Sequence, residues 1–235
     1  MLYLIPAYLS EQTPANAFPI YISEIIKSID YYLVENEKTA RKVIKFFAPE
    51  KKQSELKLFI LNKHTKTQDL QEAKSLLLQG QDFGLLSEAG LPCIADPGNI
   101  MVSWAHENNI AVTPLIGPSS IILGLISSGF NGQQFTFHGY LPIDKNERKK
   151  EIQRLETLVN KTGYSQIFME TPYRNHSLFE DLIKNLRSDT LLCIAANINH
   201  PTEEFIQTHS LQEWKKRGID LHKIPAIFIL GKNPQ

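Results

Sequence analysis

A turn rich in small and acidic residues follows one short apolar run of this sequence. Residues 83–86 read Phe-Gly-Leu-Leu, and residues 87–90 read Ser-Glu-Ala-Gly. Small residues let a ligand approach the backbone closely, whereas the carboxylates of Glu88 and Asp96 can accept hydrogen bonds from hydroxyl or amino groups. The turn is therefore a candidate binding loop for a polar small molecule. An ordinary connection whose glycines serve only the turn explains the same residues.

A second candidate is the segment Gly-Pro-Ser-Ser at residues 117–120, which opens the apolar segment 121–126. A proline near the start and Ser119 or Ser120 as the capping residue are typical of the amino terminus of a helix. The first amide groups of a helix have no partners within it, so they and the serine hydroxyls can hold a polar ligand. A capped helix without a ligand is the alternative.

Apolar runs alternate with amphipathic segments through the first half of the chain, and this alternation positions both loops. The predicted strands are residues 2–5, 31–35, 56–61, 83–86 and 110–115, and the predicted helices are residues 22–29, 37–47, 67–79 and 100–107. The pattern predicts a mostly parallel sheet with right-handed crossovers. In such sheets ligands bind at the carboxyl ends of the strands. The motif G-x-G-x-x-G does not follow the first run, so a standard dinucleotide phosphate loop is not expected.

The second half of the chain predicts a mixed sheet. Its predicted strands are residues 135–140, 166–170, 191–196, 204–207 and 224–230, with helices over 145–158, 178–186 and 211–217. The turn residues near His200 and Pro201 indicate a hairpin, which makes part of this sheet antiparallel. The predicted fold class is therefore α/β, with an amino-terminal domain over residues 1–116 and a carboxyl-terminal domain over residues 117–235.

Composition narrows the class of partner. Lys plus Arg and Asp plus Glu both number 25, and the resulting net charge of zero argues against general, charge-driven binding of nucleic acid. Four basic residues between Lys145 and Lys150 form either a phosphate contact or a solvated helix face. Cys93 and Cys193 show no zinc spacing, so no metal is expected. Without a signal-peptide pattern or a membrane-length apolar run, the expectation is a cytoplasmic protein with no membrane partner.

Three loops at predicted strand ends, taken together, resemble the signature segments of one family. They are residues 87–98, Ser-Glu-Ala-Gly-Leu-Pro-Cys-Ile-Ala-Asp-Pro-Gly, residues 114–120, Pro-Leu-Ile-Gly-Pro-Ser-Ser, and residues 168–174, Phe-Met-Glu-Thr-Pro-Tyr-Arg. The three segments are similar to those of the tetrapyrrole methylase superfamily, and most similar to its branch of ribosomal RNA small subunit methyltransferase I. The resemblance extends over nearly the whole chain and preserves the order and approximate spacing of the motifs.

The resemblance implies two α/β domains with S-adenosylmethionine in the cleft between them, and usually a homodimer. It implies methylation of small-subunit ribosomal RNA, for which we expect a ribose 2′-hydroxyl as the acceptor. The implied cofactor contacts are Pro6, Ser87, Glu88, Ala89, Ser119, Ser120, Glu170, Ala196, Asn197, Pro225 and Ala226. A ribose hydroxyl benefits from a general base, and the candidates by position are Glu88, Glu35 and His64.

The chain also departs from the branch that it resembles. The usual Gly-Asn loop after the first strand is replaced by residues 6–12, the usual His-Asn-Glu by residues 62–64, and a later Arg-Glu pair by Ala196 and Asn197. Two other functions therefore stay open. One is a methyltransferase of the same fold acting on a tetrapyrrole or another small molecule, and the other is a non-catalytic protein that binds S-adenosylmethionine.

Overall fold

Five short parallel strands form the sheet of the amino-terminal half. They are β1 (Leu2–Ile5), β2 (Tyr31–Val34), β3 (Lys57–Ile60), β4 (Phe83–Leu86) and β5 (Val112–Pro114), in the spatial order β3-β2-β4-β1-β5. Every neighbouring pair is parallel. All five carboxyl ends therefore lie at one edge of the sheet, and β1 and β4 are next to each other near its centre.

Helices cover both faces of this sheet. They are α1 (Tyr21–Ser28), α2 (Glu37–Phe47), α3 (Gln71–Leu78) and α4 (Asn99–Glu107), with short 3-10 turns at Ala15–Ala17 and Thr67–Leu70. Apolar residues of α1 and α2 pack in one core cluster with Tyr32 and Val34, and those of α3 and α4 pack in another with Leu33 and Leu85. Alternate residues of the strands thus enter opposite cores, which is why the strands are apolar on both sides.

The second half of the chain forms a mixed sheet. Its elements are α5 (Ser120–Ser128), β6 (Phe135–Tyr140), α6 (Lys145–Thr162), β7 (Ser165–Met169), α7 (Asn175–Asn185), β8 (Leu191–Ala196), β9 (Phe205–Ser210), α8 (Leu211–Arg217) and β10 (Ala226–Gly231). The strand order is β6-β7-β10-β8-β9, with β6 and β7 parallel and the other pairs antiparallel. Helices α6, α7 and α8 pack on one face around Trp214, and α5 packs on the other.

The structure is a computed structural model and describes residues 1–233, except the side chain of Thr67. The chain divides into two compact units, Met1–Ser119 and a second that starts at Ser120. In the described part of the chain no helix is both long and apolar enough to cross a membrane. Within the same residues, no three or more His, Cys, Asp or Glu side chains are grouped to hold a metal ion.

The predicted fold class, a parallel sheet followed by a mixed one, is confirmed, and the differences concern element ends. The helix predicted over residues 67–79 starts as the 3-10 turn Thr67–Leu70, with the backbone N–H of Lys66 donating to Asp69 at 2.8 Å. Helix α6 extends past residue 158 to Thr162, where Gly163 adopts a φ of 73° and ends it. Pro114 closes β5, an edge strand, where proline leaves no neighbouring strand without a donor.

Candidate functional site

Three loops of the amino-terminal unit meet at the carboxyl edge of its sheet. The loop after β1 and the loop after β4 are joined by two backbone hydrogen bonds. The N–H of Ala7 donates to the carbonyl of Gly90 at 2.8 Å, and the N–H of Gly90 donates to Ala7 at 3.2 Å. This isolated bridge is antiparallel, unlike the parallel pairing of β1 with β4, and it holds the end of the turn 87–90 against the residue that follows Pro6.

Two glycines permit the third loop, after β5, to approach the other two. A Cβ atom on Gly117 would lie 2.1 Å from the Cβ of Pro6, and one on Gly90 would lie 3.2 Å from the carbonyl oxygen of Pro118. Gly90 also has a φ of 70°, which strains residues with a side chain. These glycines therefore serve close backbone packing between the loops, and the three loops form one rigid group.

The same loops present small and polar groups outward. Glu88 and Ala89 are exposed, whereas Ser87 is buried and its hydroxyl donates to the carbonyl of Ala89 at 3.2 Å. Ser119 and Ser120 are partly buried, at the start of α5. An exposed carboxylate beside small residues fits a ligand that offers hydroxyl or amino donors, such as a nucleoside.

A group of carboxylates lies beside these loops. Glu35, immediately after β2, and Asp96, in the loop after β4, line a small recess together with Leu61, Leu86 and Pro97. The hydroxyl of Thr39 in α2 contacts Glu88 at 3.4 Å, which places the start of α2 against the loop after β4. The recess combines apolar walls with two acids at the edge where the strands end.

Burial raises the pKa of the Glu35 carboxyl, and the negative charges of Glu88 and Asp96 raise it further. Burial also raises the pKa of Asp96, although hydrogen bonds from backbone N–H groups, including those of Cys93 and Gly98, oppose this shift. Asp96 accepts from Gly98 at 2.8 Å and from Cys93 at 2.9 Å. Asp96 thus fixes its own loop, and Glu35 is the carboxylate whose environment favours taking up a proton.

The third candidate base, His64, lies in the turn after β3, three residues beyond Leu61 of the recess, and is not among the residues that line it. It is exposed in the turn after β3, and its backbone N–H donates to the Asn62 side chain at 2.9 Å. The structure thus places Glu35 in the recess, Glu88 at the exposed rim and His64 on a surface turn. Of the three, Glu35 has the surroundings that most resemble those of a catalytic base.

Residues of the carboxyl-terminal unit form a polar group at one end of its own sheet. The Glu170 side chain is 1% exposed, and its Oε1 atom accepts from the Arg174 guanidinium at 2.7 Å and the Thr171 N–H at 2.6 Å. Glu170 Oε2, Arg174 Nε and Asn175 Oδ1 are buried without a partner among the described residues. Such atoms are costly unless a water or a ligand satisfies them.

The remaining candidate contacts lie at the same end of that sheet. Ala196 is the register partner of Ala226, and the N–H of Asn197 donates to the carbonyl of Pro225 at 3.0 Å. Asn197 has a φ of 49°, a conformation that asparagine tolerates better than most residues. A larger cavity, lined by Glu156, Arg187, Thr190 and Lys232 among others, lies at the opposite end, where β8 begins and β10 ends. It is remote from these candidate contacts.

Sequence reasoning did not anticipate the role of Gly117 or the contact between Thr39 and Glu88. The first depends on how closely the Pro6 ring approaches, and the second on where α2 begins, so neither has a local sequence signal. Asp96 was visible as an acid in an Asp-Pro-Gly turn, but its proximity to Glu35 follows from the strand order, which places β2 beside β4.

Several curated proteins named ribosomal RNA small subunit methyltransferase I resemble this chain, and three of them illustrate the likeness. The protein of Vibrio cholerae is 30% identical over 91% of this chain and 69% of its own length. That of Escherichia coli O157:H7 is 25% identical over 97% and 77%, and that of Synechocystis sp. is 30% identical over 87% and 69%. No family model matches the chain.

A solved structure shows the same fold. The crystal structure of the methyltransferase CobJ aligns with a TM-score of 0.61 at 12% identity, covering 98% of this chain and 93% of that one. At this identity the match concerns the fold alone. The sequence relatives, however, are 25–30% identical over most of both chains, and they confirm the resemblance to the ribosomal RNA small subunit methyltransferase I branch. The chain therefore belongs to the ribosomal RNA small subunit methyltransferase I family.

Proposed function

We propose that this protein is an S-adenosylmethionine-dependent methyltransferase that methylates small-subunit ribosomal RNA at a ribose 2′-hydroxyl. The observation that carries the proposal is the convergence of the loops after β1, β4 and β5 in a chain of this family. In parallel α/β sheets this edge is where ligands bind. The carboxylate recess beside the loops supplies a group able to accept a proton.

The proposed cofactor contacts in the amino-terminal unit follow from the chemistry of the loops. The exposed Glu88 carboxylate can accept hydrogen bonds from the hydroxyl groups of a nucleoside, and Ala89 leaves room for the ligand. Ser87 is buried and holds the turn through its bond to Ala89, so its contribution to binding is mainly the shape of the loop. Pro6 and Ser119, in the two neighbouring loops, are the other proposed cofactor contacts of this unit.

In the carboxyl-terminal unit we propose the contacts that the resemblance implies, which are Ser120, Glu170, Ala196, Asn197, Pro225 and Ala226. The partnerless Oε2 atom of Glu170 supports a polar ligand there, since a donor would satisfy it. The local bonds of Glu170 to Arg174 and Thr171 hold the carboxylate in a single orientation.

When bound, S-adenosylmethionine supplies a methyl group on a positively charged sulfur, which departs as a neutral thioether. The protein then has two tasks, to orient the acceptor oxygen in line with the methyl group and to receive the hydroxyl proton. We assign the second task to Glu35. Its carboxylate becomes neutral as the new carbon–oxygen bond forms, and the raised pKa makes that uptake more favourable than for an ordinary glutamate.

We also propose that the enzyme is a homodimer that acts in the cytoplasm, where ribosomal RNA is found. Two large apolar side chains of the carboxyl-terminal unit, Ile126 and Ile143, are 69% and 71% exposed, and burial against a second copy would remove them from water. Sedimentation equilibrium tests the dimer directly. A mass equal to one chain at all concentrations would exclude it.

The experiment that tests the proposed function uses two measurements. Titration calorimetry with S-adenosylmethionine measures cofactor binding, and transfer of a labelled methyl group to small ribosomal subunits purified from cells without this enzyme measures the reaction. We expect binding and labelling of a ribose in the small-subunit RNA. Binding without transfer to RNA would contradict the proposed substrate, and absence of binding would contradict the proposed cofactor.

A further inference from the structure

A turn with three basic residues lies at the same sheet edge as the candidate site. Residues 56–68 contain Lys57, at the amino end of β3, and Lys63, His64 and Lys66, after its carboxyl end; Glu55 and Asp69 stand on either side, in a chain whose net charge is zero. The segment includes β3 and the turn that follows it. A local cationic region on a neutral protein indicates a specific anionic partner better than bulk charge does.

The turn after β3 is rigidly held, so its lysines have a defined placement. The N–H of Asn62 donates to the Thr65 hydroxyl at 2.9 Å, the N–H of Thr65 donates to the Asn62 carbonyl at 3.0 Å, and the Thr65 hydroxyl donates to Ile60 at 3.2 Å. All of these bonds involve backbone or small side chains. The exposed ammonium groups of Lys63 and Lys66 are left to project from a fixed loop.

The strand register places this turn beside the carboxylate recess. Val34 of β2 pairs with Ile60 of β3, and the N–H of Leu61 donates to the carbonyl of Val34 at 2.8 Å. Glu35 and Leu61 therefore lie side by side, on strands spaced about 4.8 Å apart, and Leu61 lines the recess with Glu35. Lys63 follows only two residues later. Exposed Lys38, in the first turn of α2, lies one residue before Thr39, which contacts Glu88.

These three lysines differ from several others of the amino-terminal unit, and they share their lack of an ion pair among the described residues with exposed Lys45 and Lys57. Lys27, Lys42, Lys51 and Lys52 each form an ion pair with a carboxylate. Among the described residues, Lys38, Lys63 and Lys66 form none. The nearest acids along the chain are Glu37, which pairs with Arg41 at 3.5 Å, and Asp69, which accepts from the backbone N–H of Lys66.

The alternative basic cluster, between Lys145 and Arg154, is less available than its sequence indicates. Arg148 is only 6% exposed and pairs with Asp181 at 2.6 Å, and Arg154 forms a two-bond pair with Glu151. Both guanidinium groups are therefore already bound to carboxylates within the protein. Lys145, Lys149 and Lys150 stay exposed and form no ion pair among the described residues, so the feature that distinguishes the turn after β3 is its position beside the recess.

We propose that Lys63 and Lys66, together with Lys38, bind the phosphodiester backbone next to the nucleotide whose ribose 2′-hydroxyl is presented to Glu35 at the mouth of the recess. The proposal rests on the proposed function and adds to it the residues that position the RNA. Phosphate contacts of this kind fix the register of a nucleic acid without reading its bases. RNA carries a phosphate on each side of every internal ribose, so cations close in the chain to the residues of the recess are suited to hold those phosphates.

The test compares Lys63→Gln/Lys66→Gln with the parent protein by fluorescence anisotropy on a short single-stranded RNA over a range of salt concentrations. Each lost phosphate contact reduces the dependence of log Kobs on log salt by about 0.7 on a single strand, so the slope should fall by about 1.4. If the two proteins bind equally at 1 M salt, the Lys63→Gln/Lys66→Gln variant should bind RNA about 25-fold more weakly than the parent at 0.1 M salt. The KM for small ribosomal subunits should rise, with the affinity for S-adenosylmethionine unchanged.

The matched control is Lys215→Gln/Lys216→Gln, which removes the same charge from exposed positions in α8. We expect this control to bind RNA like the parent, and Lys63→Arg/Lys66→Arg to retain most of the affinity. Equal slopes and equal KM values for the parent and the Lys63/Lys66 variant would overturn the inference while leaving the proposed function intact if the parent still methylates RNA. A parent that neither binds nor methylates RNA would overturn both.

Discussion

At the scale of single residues, the functional proposal depends on the carboxylate of Glu35. Its position after a buried strand was readable from the sequence, and it was one of three candidate bases. Its surroundings were not, because Glu88 and Asp96 are 53 and 61 positions away along the chain and act on Glu35 only through the strand order. The sequence also could not separate Glu35 from His64, which the structure leaves on an exposed turn.

We predict that Glu35→Gln lowers methyl transfer by about 10²–10⁴-fold, the usual contribution of a general base, with little change in cofactor affinity. Single-turnover transfer to small ribosomal subunits measures the first quantity and calorimetry the second. In the parent enzyme the rate should fall as the pH drops through the raised pKa of Glu35, because only the ionised carboxyl accepts a proton. A full rate in Glu35→Gln would remove Glu35 from the mechanism.

The same substitution should stabilise the fold at neutral pH. Since the pKa of Glu35 is higher in the folded than in the unfolded protein, its contribution to stability is complete below the unfolded pKa and is lost as pH rises through the folded pKa. The ionised carboxylate is therefore unfavourable at pH 7, and glutamine removes that cost. The Tm advantage of Glu35→Gln over the parent should shrink as the pH is lowered, whereas an advantage that is constant with pH would contradict the assigned cause.

Ala89 permits a second test at the residue scale. It is exposed in the loop after β4, so a large side chain there should block a ligand without disturbing the core. We expect Ala89→Trp to reduce affinity for S-adenosylmethionine at least tenfold, with a Tm close to that of the parent. Calorimetry and thermal unfolding give the two values, and an unchanged affinity would show that this loop is not in the cofactor site.

At the scale of elements, most of the fold was predictable because each element has a local signal. Helix α2 matches its predicted bounds, since Asn36 caps it with bonds to Lys38 and Thr39, and apolar residues recur along one face. The ends of the elements were less predictable. The start of the helix predicted at Thr67, for example, depends on a bond from Lys66 to Asp69 that favours a tighter turn.

The packing between the loops also could not be predicted from the sequence, and a substitution at Gly117 tests it. An added Cβ would overlap the Pro6 ring, which has no rotamer with which to give way. We predict that Gly117→Ala costs about 1–3 kcal/mol of stability through overpacking, and also weakens cofactor binding. Gly132→Ala is the matched control, because its Cβ would meet no atom within 4 Å. Equal stability and affinity in the two variants would contradict the rigid loop group.

At the scale of the whole molecule, composition and order of elements correctly indicated an α/β chain with two different sheets. They were less informative about charge. Of the four basic residues from Lys145 to Lys150, Arg148 is buried and paired with Asp181, and the three lysines are exposed. Lys63 and Lys66, by contrast, are too few to form a basic run, so the sequence did not mark them as a candidate phosphate contact. Which cations stay free is a property of the folded chain.

The central claim is that this protein transfers a methyl group from S-adenosylmethionine to a ribose of small-subunit ribosomal RNA. The most direct measurement is transfer from labelled S-adenosylmethionine to small ribosomal subunits that lack this enzyme's modification, followed by digestion of the RNA to nucleosides. We predict that the label appears in one 2′-O-methylated nucleoside and that Ala89→Trp lowers its yield when S-adenosylmethionine is below saturation. Label on a base, or no label in RNA from an enzyme that binds the cofactor, would contradict the account.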